Sequence, residues 1–149
     1  MSKILVVGQT PPPYHGQSIM VEKMLEGDYS DIELVHVRMA FSTDVEEVGK
    51  LSGGLALRKM IELARVISRI IDVRFTKQPD VLWSPPAGPD FVPVVRDIVI
   101  LLATRWLFPK TVLHFHAGGL SELYDSLPIP LRLLFRAAFF RPDAAVRIS

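Results

Sequence analysis

The sequence predicts an α/β fold, a doubly wound parallel sheet, because short apolar segments alternate with longer helical patterns along the whole chain. Segments of strand length begin at residues 4, 32, 81, 111 and 144. The stretches between them are long enough for the crossover connections that parallel strands require. The first segment is an uninterrupted, largely β-branched run, which is typical of a strand buried on both faces. Together these observations favour a sheet covered by helices on both sides.

The first strand, its loop and the following helix form the best-defined unit. Residues 4–7 are the strand, and three consecutive prolines at 11–13 then exclude both helix and sheet pairing, because proline fixes φ and has no N–H. Gly16 permits close approach of a ligand to the backbone, and Ser18 is predicted to cap the helix. This order places free backbone N–H groups at the carboxyl edge of the sheet, where anions bind.

The middle of the chain is predicted to be a strand at 32–38, a long polar loop at 39–54 and a helix at 55–75. A loop of that length inside a compact domain is usually functional or mobile. The apolar side chains of the helix form one stripe: Leu57, Met60, Ile61, Ala64, Ile67, Ile71 and Phe75. Its charged side chains form a second row on the opposite side: Arg58, Glu62, Arg65, Arg69 and Asp72. We interpret this row as a solvated face with weak ion pairs rather than as a nucleic-acid surface.

The rest of the chain repeats the alternation. A short strand at 81–83 precedes a helix at 90–108 that is apolar almost all round and should be largely buried. A strand at 111–116 is followed by a proline-interrupted helical segment at 120–140, and the last strand covers 144–148. No helix follows that strand, so we expect residues 1–149 to be one truncated domain of a larger protein.

The composition excludes several classes of protein. With 49% hydrophobic residues the chain is not disordered, and a net charge of +1 gives no electrostatic argument for nucleic acid. The absence of cysteine excludes disulfides, thiolate metal sites and a cysteine nucleophile. Neither a signal peptide nor an apolar run of membrane-spanning length is recognisable, so we expect a cytoplasmic protein.

One segment, residues 127–141, combines many apolar side chains with three arginines. This pattern is typical of a core helix whose arginines extend to solvent. It is also found in helices that lie on an anionic membrane surface. We favour the core helix, and the other interpretation would place the protein peripherally at the inner face of the membrane.

Three loops are predicted to meet at the carboxyl edge of the sheet: 9–17, 84–89 and 116–119. His116 ends a strand and is followed by Ala-Gly-Gly, so its side chain can project into the cleft while the glycines leave space. It is therefore the candidate catalytic residue. His114 lies deeper on the same face of the strand, and we interpret it as structural. Neither histidine predicts a metal site, because no carboxylate or third histidine lies near them in the sequence.

Both common phosphate-binding loops, G-x-G-x-x-G and G-x-x-x-x-G-K-[ST], are absent. The order of strand, Gln-Thr-Pro-Pro-Pro-Tyr-His-Gly-Gln-Ser and helix instead resembles the opening of the GT-B glycosyltransferases, especially the retaining enzymes of the glycosyltransferase family 4 type. The later segment His-Phe-His-Ala-Gly-Gly resembles the fourth-strand motif of the same family. One departure is that His15 stands where the family has the first glycine of a Gly-Gly turn.

The resemblance implies a Rossmann-like domain that is one half of a two-domain GT-B architecture. Residues 1–149 would be the N-terminal, acceptor-side half, with the donor-binding C-terminal domain absent. The activity implied is transfer of a sugar from a nucleotide-sugar donor to a saccharide, lipid-linked or small-molecule acceptor, with no metal or other cofactor. In this comparison His116 faces the transferred sugar. The substrate-binding positions are His15, Gly16, Gln17, Gly118 and Gly119.

A non-catalytic alternative remains open at this stage. The chain could be a Rossmann-like module that binds a partner or anchors to a membrane, including one subunit of a split glycosyltransferase. The two interpretations differ in whether a donor-binding domain accompanies this one, on the same chain or on another. Neither involves nucleic acid.

Overall fold

The computed structural model describes residues 2–11, 14, 16–39, 53–86, 91–115 and 119–147. Within them lies a five-stranded sheet with the strand order β2-β1-β3-β4-β5, in which every neighbouring pair is parallel. The strands are β1 (Ser2–Gly8), β2 (Ile32–Arg38), β3 (Val81–Ser84), β4 (Lys110–Phe115) and β5 (Ala144–Arg147). The predicted α/β class and parallel sheet are confirmed, and the arrangement is Rossmann-like.

The helices connect successive strands. They are α1 (Gly16–Glu26), α2 (Gly53–Thr76), α3 (Phe91–Thr104), α4 (Leu120–Ser126) and α5 (Ile129–Phe139), with a 3₁₀ turn at Arg105–Leu107 after α3. The helix predicted to start at Ser18 begins two residues earlier, at Gly16. Ser18 is therefore not the cap but a fully buried residue within the first turn of α1.

The two faces of the sheet carry different helices because side chains alternate along each strand. Leu5 and Val7 of β1 belong to the larger core, which contains the buried residues of α2, α3 and α5. Val6, between them in sequence, points to the opposite face and packs with Val21 of α1 and Trp83 of β3. The strand buried on both sides, predicted from the run at 4–7, is confirmed for residues 5–7.

Helix α2 packs on the sheet through a different side from the one that the sequence pattern singles out. Among its described side chains, Val66 and Ile70 are buried, at 4% and 0% exposure. By contrast, Leu57 is 59% exposed and Phe75 is 66% exposed, although both belong to the predicted stripe. The helix thus has two apolar sides. Periodicity alone does not reveal which of them faces the sheet.

Helix α3 is buried on one side only, since Phe91, Val92 and Val99 are exposed, so the prediction of a largely buried helix is only partly confirmed. The α-helix also ends at Thr104 rather than at residue 108. The Thr104 hydroxyl donates a hydrogen bond to the carbonyl of Ile100 at 2.6 Å. The next residue, Arg105, is buried, and its guanidinium donates to the carbonyls of Ala137, Ala138 and Arg141. These carbonyls lie at and just beyond the end of α5. The hydrogen bonds of Arg105 therefore connect the end of α5 to the end of α3 and satisfy carbonyls that lack intrahelical partners.

Helix α5 is a core helix with one exposed apolar side. Phe135, Ala138 and Phe139 are buried, whereas Ile129 is 71% exposed and Leu133 is 61% exposed. In the part of the chain that the structure describes, no helix is both long and apolar enough to cross a membrane.

Candidate functional site

The order of the strands fixes where a ligand site is expected. From β1 the chain moves outward to β2, and it then crosses back to β3 on the other side of β1. The connections after β1 and β3 therefore run to opposite faces of the sheet: α1 covers one face and α3 the other. Such a switch point leaves a crevice at the carboxyl ends of the two strands, and ligands of open α/β sheets bind there.

Gly8 ends β1 at this point and allows close packing. A Cβ built on Gly8 would lie 3.2 Å from Cγ2 of Val21 and 3.5 Å from Cγ of Pro85. Its carbonyl oxygen accepts a hydrogen bond from the backbone N–H of Met39 at 3.1 Å. The absence of a side chain thus lets α1 and the segment after β3 approach the end of β1.

Gln17 joins the two sides of the switch point. Its side-chain Nε2 donates hydrogen bonds to the carbonyl oxygens of Pro85 at 2.9 Å and Pro86 at 3.1 Å. Both bonds span a wide separation in sequence, from the first turn of α1 to the residues that follow β3. They hold the amino end of α1 against the β3 loop, so the amide of Gln17 positions this end of the site.

On the other side of β1, β2 contributes two polar residues that the sequence analysis did not select. His36 Nε2 lies 3.0 Å from the carbonyl oxygen of Gly8, and Arg38 Nη2 donates to the carbonyl of Thr10 at 3.3 Å. Burial lowers the pKa of His36 below its ordinary value, and the nearby Arg38 charge lowers it further, although the hydrogen bond to Gly8 opposes both. The neutral imidazole therefore donates Nε2–H to Gly8.

The signal for these residues was available in the sequence. Leu34, His36 and Arg38 alternate along β2 and share one face, so the polar pair falls at the carboxyl end of the strand. Strand β2 lies beside β1, with Gly8 opposite Arg38. This pairing of the strands brings the side chains of His36 and Arg38 to the site. Strand order, which the sequence does not state, was the missing information.

His114, the histidine predicted to be structural, lies on β4 near the same edge of the sheet. Trp83 of β3 and His114 of β4 meet edge to face, with ring centroids 5.4 Å apart. His114 is half-buried, and this packing agrees with the structural role expected for it. His116, the candidate catalytic residue, lies outside the described residues, as do His15 and Gly118.

Of the remaining predicted substrate contacts, Gly16 is the first residue of α1 and is exposed. Gly119 precedes α4 with a φ of 88°, a left-handed conformation that favours glycine. Its carbonyl accepts the first hydrogen bond of α4, from Leu123 N at 3.1 Å. The structure thus brings Gly16 and Gln17 to the switch point and gives Gly119 a role in starting a helix, while sugar or nucleotide contacts of all three stay predictions.

Within the described ranges, no group of three or more histidine, cysteine, aspartate or glutamate side chains is placed to hold a metal ion. Comparison with known proteins adds no assignment: the chain matches no family model, no curated protein and no solved structure.

Proposed function

We propose that this chain is the acceptor-side domain of a GT-B glycosyltransferase, which moves a sugar from a nucleotide-sugar donor to a saccharide, lipid-linked or small-molecule acceptor. The observation that carries the proposal is the switch-point site itself: the amino end of α1 is fixed against the β3 loop by Gln17. The amino end of a helix at a switch point is where backbone N–H groups commonly bind anions, and this supports the assignment of a diphosphate leaving group there.

The physical role of α1 follows from its position. The first turns of a helix present backbone N–H groups without intrahelical partners, and the helix dipole adds partial positive charge there. The contribution to a nearby anion is about 0.3–1 kcal/mol when exposed and more when partly buried. The backbone N–H groups of Gly16 and Gln17 are the ones we assign to the diphosphate.

The resemblance to the family assigns the chemistry to His116, which would contact the transferred sugar near its anomeric centre. Stabilising the departing diphosphate by amide groups needs no metal, so we expect activity in the presence of a chelator. The donor's nucleoside would be held by a second domain, on the same chain or on a partner. Under this proposal the transfer takes place in the cytoplasm, where nucleotide sugars are available.

The test is a nucleotide-release assay on the protein at its native length. The purified protein is incubated with single nucleoside-diphosphate sugars and a glycolipid extract as acceptor, with chelator present, and the released nucleoside diphosphate is measured. We expect release with one donor and a strong loss of turnover in His116→Ala, with the melting temperature unchanged. Equal turnover in the variant would remove His116 from the mechanism, and the absence of release with every donor would contradict the proposal.

A second candidate function, a non-catalytic binding or membrane-anchoring module, is favoured by the exposed apolar residues of α5. Ile129 and Leu133 lie on the solvent side of a helix that also carries Arg132 and Arg136. Exposed apolar residues beside basic ones are typical of peripheral membrane contact. Flotation with anionic vesicles, lost in Ile129→Ser/Leu133→Ser and accompanied by no nucleotide release from any donor, would establish this function in place of sugar transfer.

A further inference from the structure

A pocket lies on the charged side of α2, next to the carboxyl end of β2 and apart from the Gln17 contact. Its volume is ≈ 680 Å³, within the range of small-molecule sites. Its lining is basic, because it contains three arginines, Arg38, Arg65 and Arg69, and one carboxylate, Glu62. Ser68 adds a hydroxyl group to the same wall. Counted as formal charges, these groups carry a net charge of +2.

Two of the lining arginines have no charge partner in the part of the chain that the structure describes. Among the described residues, neither Arg65 nor Arg69 forms a hydrogen bond or an ion pair, and both side chains are exposed. They stand four residues apart on one helix, so their charges are neighbours and repel one another. The solvated face expected from the sequence is confirmed, because Arg65, Arg69 and Asp72 are exposed. Among the described residues, its ion pairing is limited to Arg58, whose Nε lies 3.6 Å from Oε1 of Glu62.

The remaining charges are held in place by the fold. Arg38 is tied to the loop after β1 by its bond to the Thr10 carbonyl, so its guanidinium has a fixed position in the wall. Glu62 directs Oε1 toward Arg58, while its buried Oε2 has no hydrogen-bond partner within the described part of the chain. A ligand with a hydroxyl group could donate to this oxygen while its anionic group meets the arginines.

We propose that this pocket binds a phosphoryl group through Arg38, Arg65 and Arg69. Guanidinium groups match phosphate oxygens with paired N–H donors, and hydrogen bonds between charged partners are about twice as strong as neutral ones. The chain's small net charge of +1 gives no electrostatic support for an extended polyanion such as nucleic acid. Identification of the phosphoryl group as part of the acceptor rests on the proposed function, whereas the phosphate binding itself does not.

The first experiment is calorimetric titration of the full chain with inorganic diphosphate at constant ionic strength. The test variant is Arg65→Gln/Arg69→Gln, which removes two exposed charges from the pocket. The matched control is Lys59→Gln/Lys77→Gln, which removes two charges from the same helix and its end without touching the lining. We expect binding that weakens by roughly tenfold or more per arginine in the test variant and by less than about threefold in the control.

A second arm distinguishes a free phosphate from a lipid headgroup. The same proteins are sedimented with phosphatidylcholine vesicles with and without phosphatidic acid. Binding to phosphatidic acid but not to diphosphate, lost in the arginine variant alone, would identify the phosphoryl group as that of a lipid. Binding to neither probe, or an equal loss in both variants, would overturn the proposal.

Phosphate binding by the pocket and sugar transfer by the protein can be refuted independently of one another. Diphosphate binding that depends on Arg65 and Arg69, together with no sugar transfer, would refute only the proposed function. Sugar transfer that is unaffected by Arg65→Gln/Arg69→Gln at limiting acceptor would refute the assignment of the pocket to the acceptor.

Discussion

Gln17, in the first turn of α1, donates hydrogen bonds from its side-chain amide to the carbonyls of Pro85 and Pro86, the two residues that follow β3. Proline residues have carbonyl acceptors but no N–H, so the two-residue segment cannot donate a backbone hydrogen bond of its own. The amide therefore supplies donors to a segment whose own backbone offers only acceptors. This side chain adds a polar link to the apolar packing of Val21 on Trp83 that also joins α1 to β3.

Changing Gln17 to Glu should destabilise the protein more than changing it to Ala. Loss of the amide removes two hydrogen bonds, each worth about 0.5–1.5 kcal/mol net. Glu keeps the length but places a carboxylate against two carbonyl oxygens. Urea unfolding should show the larger loss for Gln17→Glu at neutral pH and a partial recovery in acid, where the carboxyl is protonated and can donate. Equal losses at both pH values would contradict the contact.

The Gly8→Ala variant should lose about 1–3 kcal/mol, because a Cβ there comes within 3.2 Å of Val21. The double variant Gly8→Ala/Val21→Ala should lose less than the sum of the single changes, since shortening Val21 makes room for the new methyl group. Thermal or urea unfolding of the four proteins gives the coupling energy. Strict additivity would mean that the crowding is relieved elsewhere.

Arg105→Leu should destabilise the protein by about 3 kcal/mol, because the buried carbonyl of Ala138 and the part-buried carbonyls of Ala137 and Arg141 lose their charged donor. Arg105→Lys should recover only part of this loss, since an ammonium group cannot place donors on three separate carbonyls as a guanidinium does. Chemical denaturation measures both, and circular dichroism checks that the helix content is kept. A lysine variant as stable as the wild type would show that charge alone matters.

Stability should fall as the pH drops through the range in which histidine titrates, and His36 should contribute to this fall. Its pKa in the folded protein is lowered from 6.5, so the unfolded chain takes up the proton more readily. The contribution is complete above the unfolded value and is lost as the pH falls toward the folded value. His36→Gln should reduce the difference between unfolding free energies measured at about pH 7 and about pH 5. An unchanged difference would assign the pH dependence to other groups.

The sequence was informative wherever the information is local. The run at 4–7, the prolines at 11–13 and the alternation of strand and helix each follow from backbone preferences and periodicity, and the parallel α/β sheet was predicted from them. Helix ends were less accurate, as Ser18 and Thr104 show. A capping residue and a buried polar residue in the first turn look alike in sequence.

What the tertiary structure alone decided is which distant groups meet. The strand order placed β2 beside β1, and only that pairing brought His36 and Arg38 to Gly8 and Thr10. It also selected which apolar side of α2 is buried, and so left Arg65 and Arg69 facing a pocket. The physical reason is that periodicity determines what a segment can bury, whereas the neighbour it is buried against depends on contacts between residues far apart in the chain.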